Sequence, residues 1–177
     1  MSESTGLAWV PLSGIGYDVH AFAEGRALVL GGVTIPFHKG LDGHSDADVL
    51  CHAIADAILG AISEQDIGHH FPNTDPSYRG ISSIELLRRV GAILAKRGAR
   101  LMNVDSTLIA EAPKVGPHVA AMRENISKAL GITPDRVGVK ATTNERMGFV
   151  GREEGIAAFA VASVIIPTPP TASGPSA

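Results

Sequence analysis

Asp18, His20 and His52 are the residues whose types and spacing point most directly to metal chemistry. One residue separates Asp18 from His20, and residues i and i+2 of a β-strand point to the same face of the sheet. His52 lies in a predicted helix and has to approach from elsewhere in space. Two imidazoles and one carboxylate form a ligand set of catalytic zinc that leaves a fourth position open. Spacing alone also allows an Asp-x-His triplet on the surface and an ordinary half-buried histidine.

Asp48 and Asp56 lie four residues before and after His52 on one face of the predicted helix. Zinc-bound histidines usually give their second ring N–H to a carboxylate or a carbonyl. We therefore predict that Asp48 and Asp56 are the outer partners of His52. The alternative is a pair of solvated carboxylates.

Phosphate-binding groups precede this helix. A helix N-terminus offers free N–H groups and a positive dipole end, and His44 and Ser45 can donate to the same anion. The alternative is simple capping of the helix by Ser45 or Asp46.

Two later segments also carry groups suited to phosphate. In the first, residues 142–145, two hydroxyls can donate to phosphate oxygens and Glu145 can hold a hard cation such as magnesium. Arg152 follows and can bind a phosphate through two N–H groups. In residues 110–117, a stiff turn between a strand and a helix, the backbone can bond a base edge and Lys114 can reach a phosphate. An ordinary polar loop is the alternative for each segment.

Composition restricts the class of protein. A net charge of -3 and a pI near 6.1 argue against a broad nucleic-acid binder. The single cysteine, Cys51, excludes an internal disulfide, fits a reducing compartment and is interpreted as a buried structural thiol. No apolar run is long enough to cross a bilayer, and Met1 to Ser13 lacks the basic start of a secretory signal. We expect a cytoplasmic bacterial protein, or the mature form of a plastid protein.

Strands and helices that position these residues follow from hydrophobic periodicity. It predicts strands over 14–20, 101–110, 137–141 and 156–166, a hairpin of 27–30 with 33–37, helices over 48–62, 82–95 and 115–130, and a long polar loop over 64–80. The predicted class is α+β, a single-domain α/β sandwich with a four-stranded-type mixed sheet and helices on one face. Residues 1–12 are expected to be flexible, 13–166 to form the catalytic domain, and 167–177 to be a disordered Pro/Ser-rich tail.

Several ordered motifs together resemble one family. They are Gly16-Tyr17-Asp18-Val19-His20, Gly43-His44-Ser45-Asp46-Ala47-Asp48, His52-Ala53-Ile54-Ala55-Asp56-Ala57, Asp66-Ile67-Gly68, Phe71-Pro72-Asn73-Thr74-Asp75-Pro76, Ala112-Pro113-Lys114, Lys140-Ala141-Thr142-Thr143 and Gly155-Ile156-Ala157. From about Gly14 to about Ile166, the chain resembles the 2-C-methyl-D-erythritol 2,4-cyclodiphosphate synthase family of the non-mevalonate isoprenoid pathway. Asn73 is a departure, since the family commonly has Asp there.

The resemblance implies an enzyme, a phosphorus–oxygen lyase. The family converts 4-diphosphocytidyl-2-C-methyl-D-erythritol 2-phosphate into 2-C-methyl-D-erythritol 2,4-cyclodiphosphate and CMP. It implies Zn²⁺ or another divalent ion on Asp18, His20 and His52, and Mg²⁺ or Mn²⁺ held by substrate phosphates and Glu145. His44 and Thr143 match the family's catalytic positions, which orient phosphate and stabilise the transition state.

The resemblance also implies two groups of substrate-binding residues. Those near the metal and the erythritol part are Asp18, His20, His44, Ser45, Asp66, Ile67, Gly68, Phe71, Pro72, Asn73, Thr74 and Asp75. Those of the cytidine diphosphate pocket and further contacts are Ala110, Glu111, Ala112, Pro113, Lys114, Val115, Gly116, Thr142, Thr143, Asn144, Glu145, Phe149 and Arg152.

The implied assembly is a homotrimer with active sites between subunits and no nucleic-acid or membrane partner. The family's central cavity can hold isoprenoid diphosphates, with an arginine at the position of Arg152. Two other functions stay open. One is a zinc-dependent phosphohydrolase, in which the open metal position activates water. The other is a non-catalytic subunit that binds nucleotide or metal.

Overall fold

The computed structural model describes residues 8–168, and a mixed β-sheet lies at its centre. Its strands are β1 (Trp9–Ala23), β4 (Gly40–Leu41), β5 (Arg100–Ile109), β6 (Val137–Thr142) and β7 (Gly155–Pro167), in the order β4-β1-β7-β5-β6. β7 runs antiparallel to β1 and β5, whereas β5 and β6 are parallel. The predicted hairpin is present as β2 (Leu28–Leu30) and β3 (Val33–Ile35). The four predicted sheet strands are confirmed, and two-residue β4 adds a short fifth strand at the edge.

Helices follow the predicted periodicity closely. They are α1 (Val49–Ala61), α2 (Ile67–His70), α3 (Ser83–Lys96), α4 (Val119–Leu130) and α5 (Gly148–Gly151). The loop predicted over 64–80 contains α2 and the short 3₁₀ turn Pro76–Tyr78, and α4 is preceded by another such turn, Gly116–His118. The end of α4 at left-handed Gly131 agrees with the sequence prediction. Within residues 8–168, no helix has the length and apolar character that a membrane span requires.

Glycine and alanine allow α1 to pack unusually close to the sheet. A Cβ at Gly16 would lie 1.9 Å from the carbonyl oxygen of Ala53, and one at Gly14 would lie 2.2 Å from that of Ala57. On neighbouring β7 the residues that pair with Gly14, Gly16 and Asp18 are buried alanines, Ala162, Ala160 and Ala158. The backbones of β1 and α1 are therefore in direct contact, which brings the start of α1 against the residues that follow Gly16.

On the opposite face of the sheet, five neighbouring side chains of β1 and β7 are apolar and exposed in the single chain. Ile15, Tyr17 and Val19 of β1 alternate with the core-facing residues, and Phe159 and Val161 of β7 lie beside them. The side chain of Ile15 is 71% exposed, and the ring centroids of Tyr17 and Phe159 are 4.7 Å apart. We name these five residues the open face. A continuous apolar surface of this kind marks an interaction site.

Both long strands extend past the predicted ends of the domain. Residues 9–12, expected to be flexible, lie in β1 and pair with residues 164–167 of β7, so Pro167 belongs to a strand as well. Ladder hydrogen bonds order these residues, and the guanidinium of Arg100 lies 4.7 Å from the ring centroid of Trp9. The remaining parts of the two segments predicted to be loose, residues 1–7 and 169–177, lie outside the described residues.

Candidate functional site

Asp18, His20 and His52 converge on one point, as their spacing predicts. His52 Nδ1 lies 2.9 Å from Asp18 Oδ2, His20 Nε2 lies 3.0 Å from the same oxygen, and the two nitrogens are 3.1 Å apart. Within residues 8–168, these three residues are the only group of His, Cys, Asp and Glu close enough to share a metal ion. Ligand atoms 2.0–2.1 Å from a tetrahedral ion lie about 3.3 Å from each other. The geometry of this metal cluster therefore fits a tetrahedral divalent ion.

The second ring nitrogen of each histidine has a hydrogen-bond acceptor. His20 Nδ1 lies 2.5 Å from the carbonyl oxygen of Asp42. His52 Nε2 lies 2.9 Å from Ser83 Oγ and 3.2 Å from Ser45 Oγ. When these nitrogens donate, the lone pairs of His20 Nε2 and His52 Nδ1 both face the point where a metal ion would lie. Neutral histidines that bind a metal require this arrangement of protons.

The structure contradicts the prediction that Asp48 and Asp56 are the outer partners of His52. Asp56 accepts a hydrogen bond of 2.7 Å from the backbone N–H of Ile67. Asp48 is fully buried and binds only backbone N–H groups. A spacing of four residues placed both carboxylates on the face of His52, but nearby main-chain donors hold them.

Asp48, rather than Ser45 or Asp46, caps α1. Its carboxylate accepts the N–H of Cys51 at 3.1 Å and also the N–H groups of the hairpin turn Gly31–Gly32, at 3.0 and 2.7 Å. These three bonds satisfy a buried charge and fasten the hairpin to α1. Cys51 is buried, and burial raises the pKa of its thiol, in keeping with a structural role.

Charge balance within the metal cluster favours an ionised carboxylate. Burial alone would raise the pKa of Asp18, but hydrogen bonds and charge from His20 and His52 hold it well below its usual range. Burial alone would lower the pKa of His20, but the hydrogen bond and charge of Asp18 raise it. Asp18 is thus ready to act as a ligand, and the raised pKa of His20 means that a metal ion and a proton compete more closely for its ring.

A cavity of about 280 Å³ adjoins the metal cluster. Several predicted substrate-binding residues lie in its wall: His20, His44, Ser45, Ile67, Gly68, Phe71 and Asn73. Tyr78, Ile81 and Leu86 also lie in the wall, and they were not predicted because they have the character of ordinary core or loop residues. Asp66 and Asp75 instead cap α2 and the Pro76–Tyr78 turn, by accepting the N–H groups of His69 and Ser77. Pro72 and Thr74 are not part of this wall.

Arg26 fixes the loop that carries His44. Its guanidinium donates to the carbonyl of Gly43 at 2.7 Å and to that of Ser45 at 2.8 Å, so it bonds the backbone on both sides of His44. Arg26 carries no signal in the sequence, because its partners are carbonyl groups, which every residue has. The contact restricts where the His44 side chain can lie in the wall of the cavity.

A second cluster joins the Ala110–Gly116 turn to the Thr143 segment, which we define as residues 142–146. Glu111 Oε1 accepts the backbone N–H of Asn144 at 3.0 Å and that of Arg146 at 2.9 Å. The backbone N–H of Ala110 also donates to the carbonyl of Thr142. One carboxylate therefore holds the backbone on both sides of Glu145.

Side chains of this second cluster point largely into solvent. Thr143 and Glu145 are exposed, and the hydroxyl of Thr143 donates to Glu145 Oε1 at 3.1 Å. Phe149 is 39% exposed, and the Arg152 guanidinium is paired with Glu154 at 2.7 Å. The carboxylate of Glu145 is a lone acidic ligand, so it can hold a cation only together with groups from a bound molecule.

The two clusters lie towards opposite edges of the sheet. A row of paired residues, Val19, Ala157, Ile109 and Thr142, runs across β1, β7, β5 and β6. Three steps of about 4.8 Å separate β1 from β6 by about 14 Å. Residues of the Ala110–Gly116 turn and the Thr143 segment are absent from the wall of the described cavity beside the metal cluster. A single chain thus presents two partial sites.

Comparison with known proteins gives consistent matches. Residues 12–165 match the model of the YgbB family. The chain is 61% identical over 153 residues to the 2-C-methyl-D-erythritol 2,4-cyclodiphosphate synthase of Symbiobacterium thermophilum, covering 86% of this chain and 98% of that protein. IspF of Plasmodium falciparum, solved as a CDP complex, is 34% identical with a TM-score of 0.76, over 90% of this chain and 97% of that one. The bifunctional IspDF of Campylobacter jejuni is 40% identical with a TM-score of 0.86; the match covers 90% of this chain but only 43% of that one.

Proposed function

The chain belongs to the YgbB family, and we propose that it converts 4-diphosphocytidyl-2-C-methyl-D-erythritol 2-phosphate into 2-C-methyl-D-erythritol 2,4-cyclodiphosphate, releasing CMP. This reaction belongs to the methylerythritol phosphate pathway of isoprenoid synthesis, and its class would be that of a phosphorus–oxygen lyase. The observation that carries the proposal is the metal cluster beside a cavity, in a chain that has a synthase relative at 61% identity.

The metal cluster supports the assignment of a divalent ion, and we propose zinc. Asp18, His20 and His52 would hold it through the three converging atoms. When bound, such an ion supplies Lewis-acid charge that neutralises phosphate oxygens. Glu145 would help hold a second ion, Mg²⁺ or Mn²⁺, together with the substrate's phosphates, and this ion would neutralise phosphate charge.

The reaction requires no nucleophile from the protein. An oxygen of the substrate's own 2-phosphate forms a bond to the β-phosphorus, while the bond from that phosphorus to the bridging oxygen breaks and CMP leaves with the electron pair. The chain has to hold two anionic ends at attacking distance and neutralise their charge. His44, in the wall of the cavity, and Thr143 would donate to phosphate oxygens as the charge shifts.

Cavity residues fit the smaller end of the substrate. Backbone groups and side chains of Ile67, Gly68, Phe71 and Asn73 would surround the methylerythritol part. Asn73 offers both a donor and an acceptor, so it can bind a hydroxyl without adding negative charge beside the phosphates. The Ala110–Gly116 turn and the Thr143 segment would bind the cytidine diphosphate end.

We further propose a homotrimer with an active site between each pair of neighbours. One chain carries the two partial sites towards opposite edges of its sheet, and a head-to-tail ring brings unlike edges together. The open face would be covered in the same assembly. Isoprenoid diphosphates would bind between the subunits near Arg152; farnesyl diphosphate at saturating concentration should then raise the melting temperature, and an unchanged melting temperature and activity would exclude this. The cytoplasmic location stays a prediction.

Incubation of the pure protein with its substrate in ¹⁸O-labelled water tests the reaction. We expect CMP and the cyclic diphosphate, both without label, by mass spectrometry. A phosphohydrolase would place ¹⁸O in a product, and a non-catalytic subunit would form no CMP. His52→Ala should lower the rate by about a thousandfold, since metal charge stabilisation supplies several kcal/mol. His38→Ala is the matched control, because His38 is exposed and lies outside the metal cluster.

A further inference from the structure

We propose that Ser83, backed by Asp46, is a positioning residue that fixes the tautomer of His52 and thereby its strength as a metal ligand. The inference rests on the proposed metal site and extends it beyond the three ligands. Ser83 lies at the start of α3, on an element that carries none of those ligands. Its contact with His52 joins residues 31 positions apart, and its contacts with Asp46 join residues 37 apart.

The direction of the hydrogen bonds follows from the groups involved. Ser83 is fully buried, and its Oγ lies 2.9 Å from His52 Nε2 and 2.5 Å from Asp46 Oδ1. The backbone N–H of Ser83 donates to Asp46 Oδ2 at 2.9 Å. An ionised carboxylate only accepts hydrogen bonds, so the Ser83 hydroxyl proton points to Asp46. The lone pair of Ser83 Oγ is then left for a proton on His52 Nε2.

This proton placement determines what the other ring nitrogen can do. A neutral imidazole has one N–H and one lone pair. With the proton on Nε2, the lone pair is on Nδ1 and faces the metal position. Without an ion, Nδ1 lies 2.9 Å from Asp18 Oδ2, an acceptor that favours a proton on Nδ1, so Ser83 and Asp46 act against that preference. The opposite tautomer would place a proton where the metal ion has to bind.

Ser45 cannot replace Ser83 in this role. Its Oγ is farther from His52 Nε2, at 3.2 Å, and accepts the backbone N–H of Ala47. No carboxylate within the described residues takes the Ser45 hydroxyl proton, so this hydroxyl can either donate to His52 or accept from it. The contact is compatible with both tautomers, whereas Ser83 and Asp46 together select one.

Two substitutions separate this role from packing. Ser83→Ala removes the nearer acceptor of the His52 proton and leaves Ser45 Oγ, at 3.2 Å, which is compatible with either tautomer. Asp46→Asn preserves the shape of the side chain but replaces one carboxylate oxygen with an NH₂ group. We expect the oxygen of the new amide to accept the backbone N–H of Ser83 and its NH₂ group to donate to Ser83 Oγ. The Ser83 hydroxyl proton then turns towards His52. Ser82→Ala is the control, because Ser82 is adjacent, exposed and makes no side-chain capping bond.

Zinc affinity measured by competition with a chromogenic chelator is the first readout. We expect Ser83→Ala and Asp46→Asn to weaken zinc binding by about 10–100-fold, the usual effect of losing an outer-shell partner, and Ser82→Ala to leave it within about twofold. If both test variants bind zinc within about twofold of wild type, Ser83 and Asp46 do not position His52.

Imidazole ¹⁵N spectra of the zinc-loaded protein are the second readout and need no substrate. Wild type should show zinc on Nδ1 of His52 and a proton on Nε2 that exchanges slowly with water, and Asp46→Asn should speed this exchange by about tenfold or more. A wild-type His52 that binds zinc through Nε2, or an Nε2 proton whose exchange rate is unchanged in Asp46→Asn, would overturn the proposal even if synthase activity is found. A correct tautomer in a protein without synthase activity would support it and leave only the proposed function in error.

Discussion

The metal cluster and the Thr143 segment, both expected to act on one substrate, are held in place by different means. In the metal cluster, three ligand atoms lie within 3.1 Å of one another, and close backbone contact between β1 and α1 sets their positions. In the Thr143 segment, the side chains of Thr143 and Glu145 are exposed, and the carboxylate of Glu111 holds the backbone around them. We call the metal cluster and the Thr143 segment the two half-sites. The metal cluster has all three of its ligands in place within one chain, whereas the side chains of Thr143 and Glu145 are exposed to solvent.

This difference indicates how the chemistry is divided. A metal site requires ligands fixed to within a fraction of an ångström before the ion arrives. A surface that grips a large nucleotide can remain open until a second chain and the substrate cover it. The comparison therefore predicts that disruption of the metal cluster acts through metal binding, and that disruption of the Thr143 segment acts through substrate binding and catalysis.

The largest expected effect is on the activity of assemblies that combine two inactive variants. His52→Ala and Thr143→Ala should each be nearly inactive, the second by about 100–1,000-fold, as for loss of a donor to transition-state charge. When the two variants are co-expressed at equal levels, they should assemble at random into rings of three. Each mixed ring has one interface at which a chain with intact His52 meets a chain with intact Thr143. The activity of the mixture should therefore return to about a quarter of wild type. Assay of the co-purified mixture checks this. Activity no higher than that of the separate variants would show that both half-sites act within one chain.

Gly16→Ala should damage the metal cluster most among substitutions that leave its ligands unchanged. The new Cβ would meet the Ala53 carbonyl at 1.9 Å, so β1 and α1 have to separate, at a cost of about 1–3 kcal/mol. Zinc affinity and the free energy of unfolding should both fall. Gly60→Ala, in α1, is the control. The new Cβ would lie 3.8 Å from its nearest neighbour, the carbonyl oxygen of Ile15, and the free energy of unfolding should rise by up to about 1 kcal/mol. Unchanged zinc affinity in Gly16→Ala would show that backbone contact does not set the cluster.

Glu111→Ala should affect the other half-site alone. Loss of the carboxylate leaves the N–H groups of Asn144 and Arg146 to water, and the expected penalty of about 1 kcal/mol raises KM for the substrate about fivefold. Glu111→Gln, which keeps one acceptor oxygen, should have a smaller effect. Steady-state kinetics and zinc titration measure the two halves separately. A fall in zinc affinity would mean that the half-sites are coupled within one chain.

The smallest expected effect is the pH dependence of the zinc-free protein. The pKa of His20 is raised in the folded state, so its ion pair with Asp18 stabilises the fold fully below the pKa of an unfolded histidine, about 6.5. This stabilisation is lost as the pH rises through the higher folded-state value. Melting temperatures in excess chelator should therefore fall above about pH 6.5 in wild type, and this fall should vanish in Asp18→Asn. An equal fall in the variant would assign it to another group.

The sequence predicted the features that depend on local pattern. Strand and helix periodicity placed β5, β6, β7, α1 and α3 within one or two residues, because one face of each element is buried. The Asp18 and His20 pair followed from the two-residue period of a strand. Pairing of residues 9–12 with β7 was missed, since the order of these residues comes from a partner strand about 155 residues away.

Sequence could not reveal the groups that act across space. Spacing placed Asp48 and Asp56 on the face of His52, yet a helical period gives a direction and not a partner. Ser83 reaches His52 from a different helix, at a separation of 31 residues that no local pattern encodes. Arg26 was invisible for another reason, because it binds backbone carbonyls and its partners have no distinctive residue type.

Gly16 limits the substitutions that could alter which ion the metal cluster prefers. In many proteins, side chains separate a strand from a helix. Replacing a large side chain with a small one then shifts the two elements by tenths of an ångström and changes the distances between the metal ligands that they carry. Here main chain touches main chain, so no such exchange is available. A shift in ion preference would have to come from replacing a ligand itself, because the frame that carries the ligands has no adjustable part.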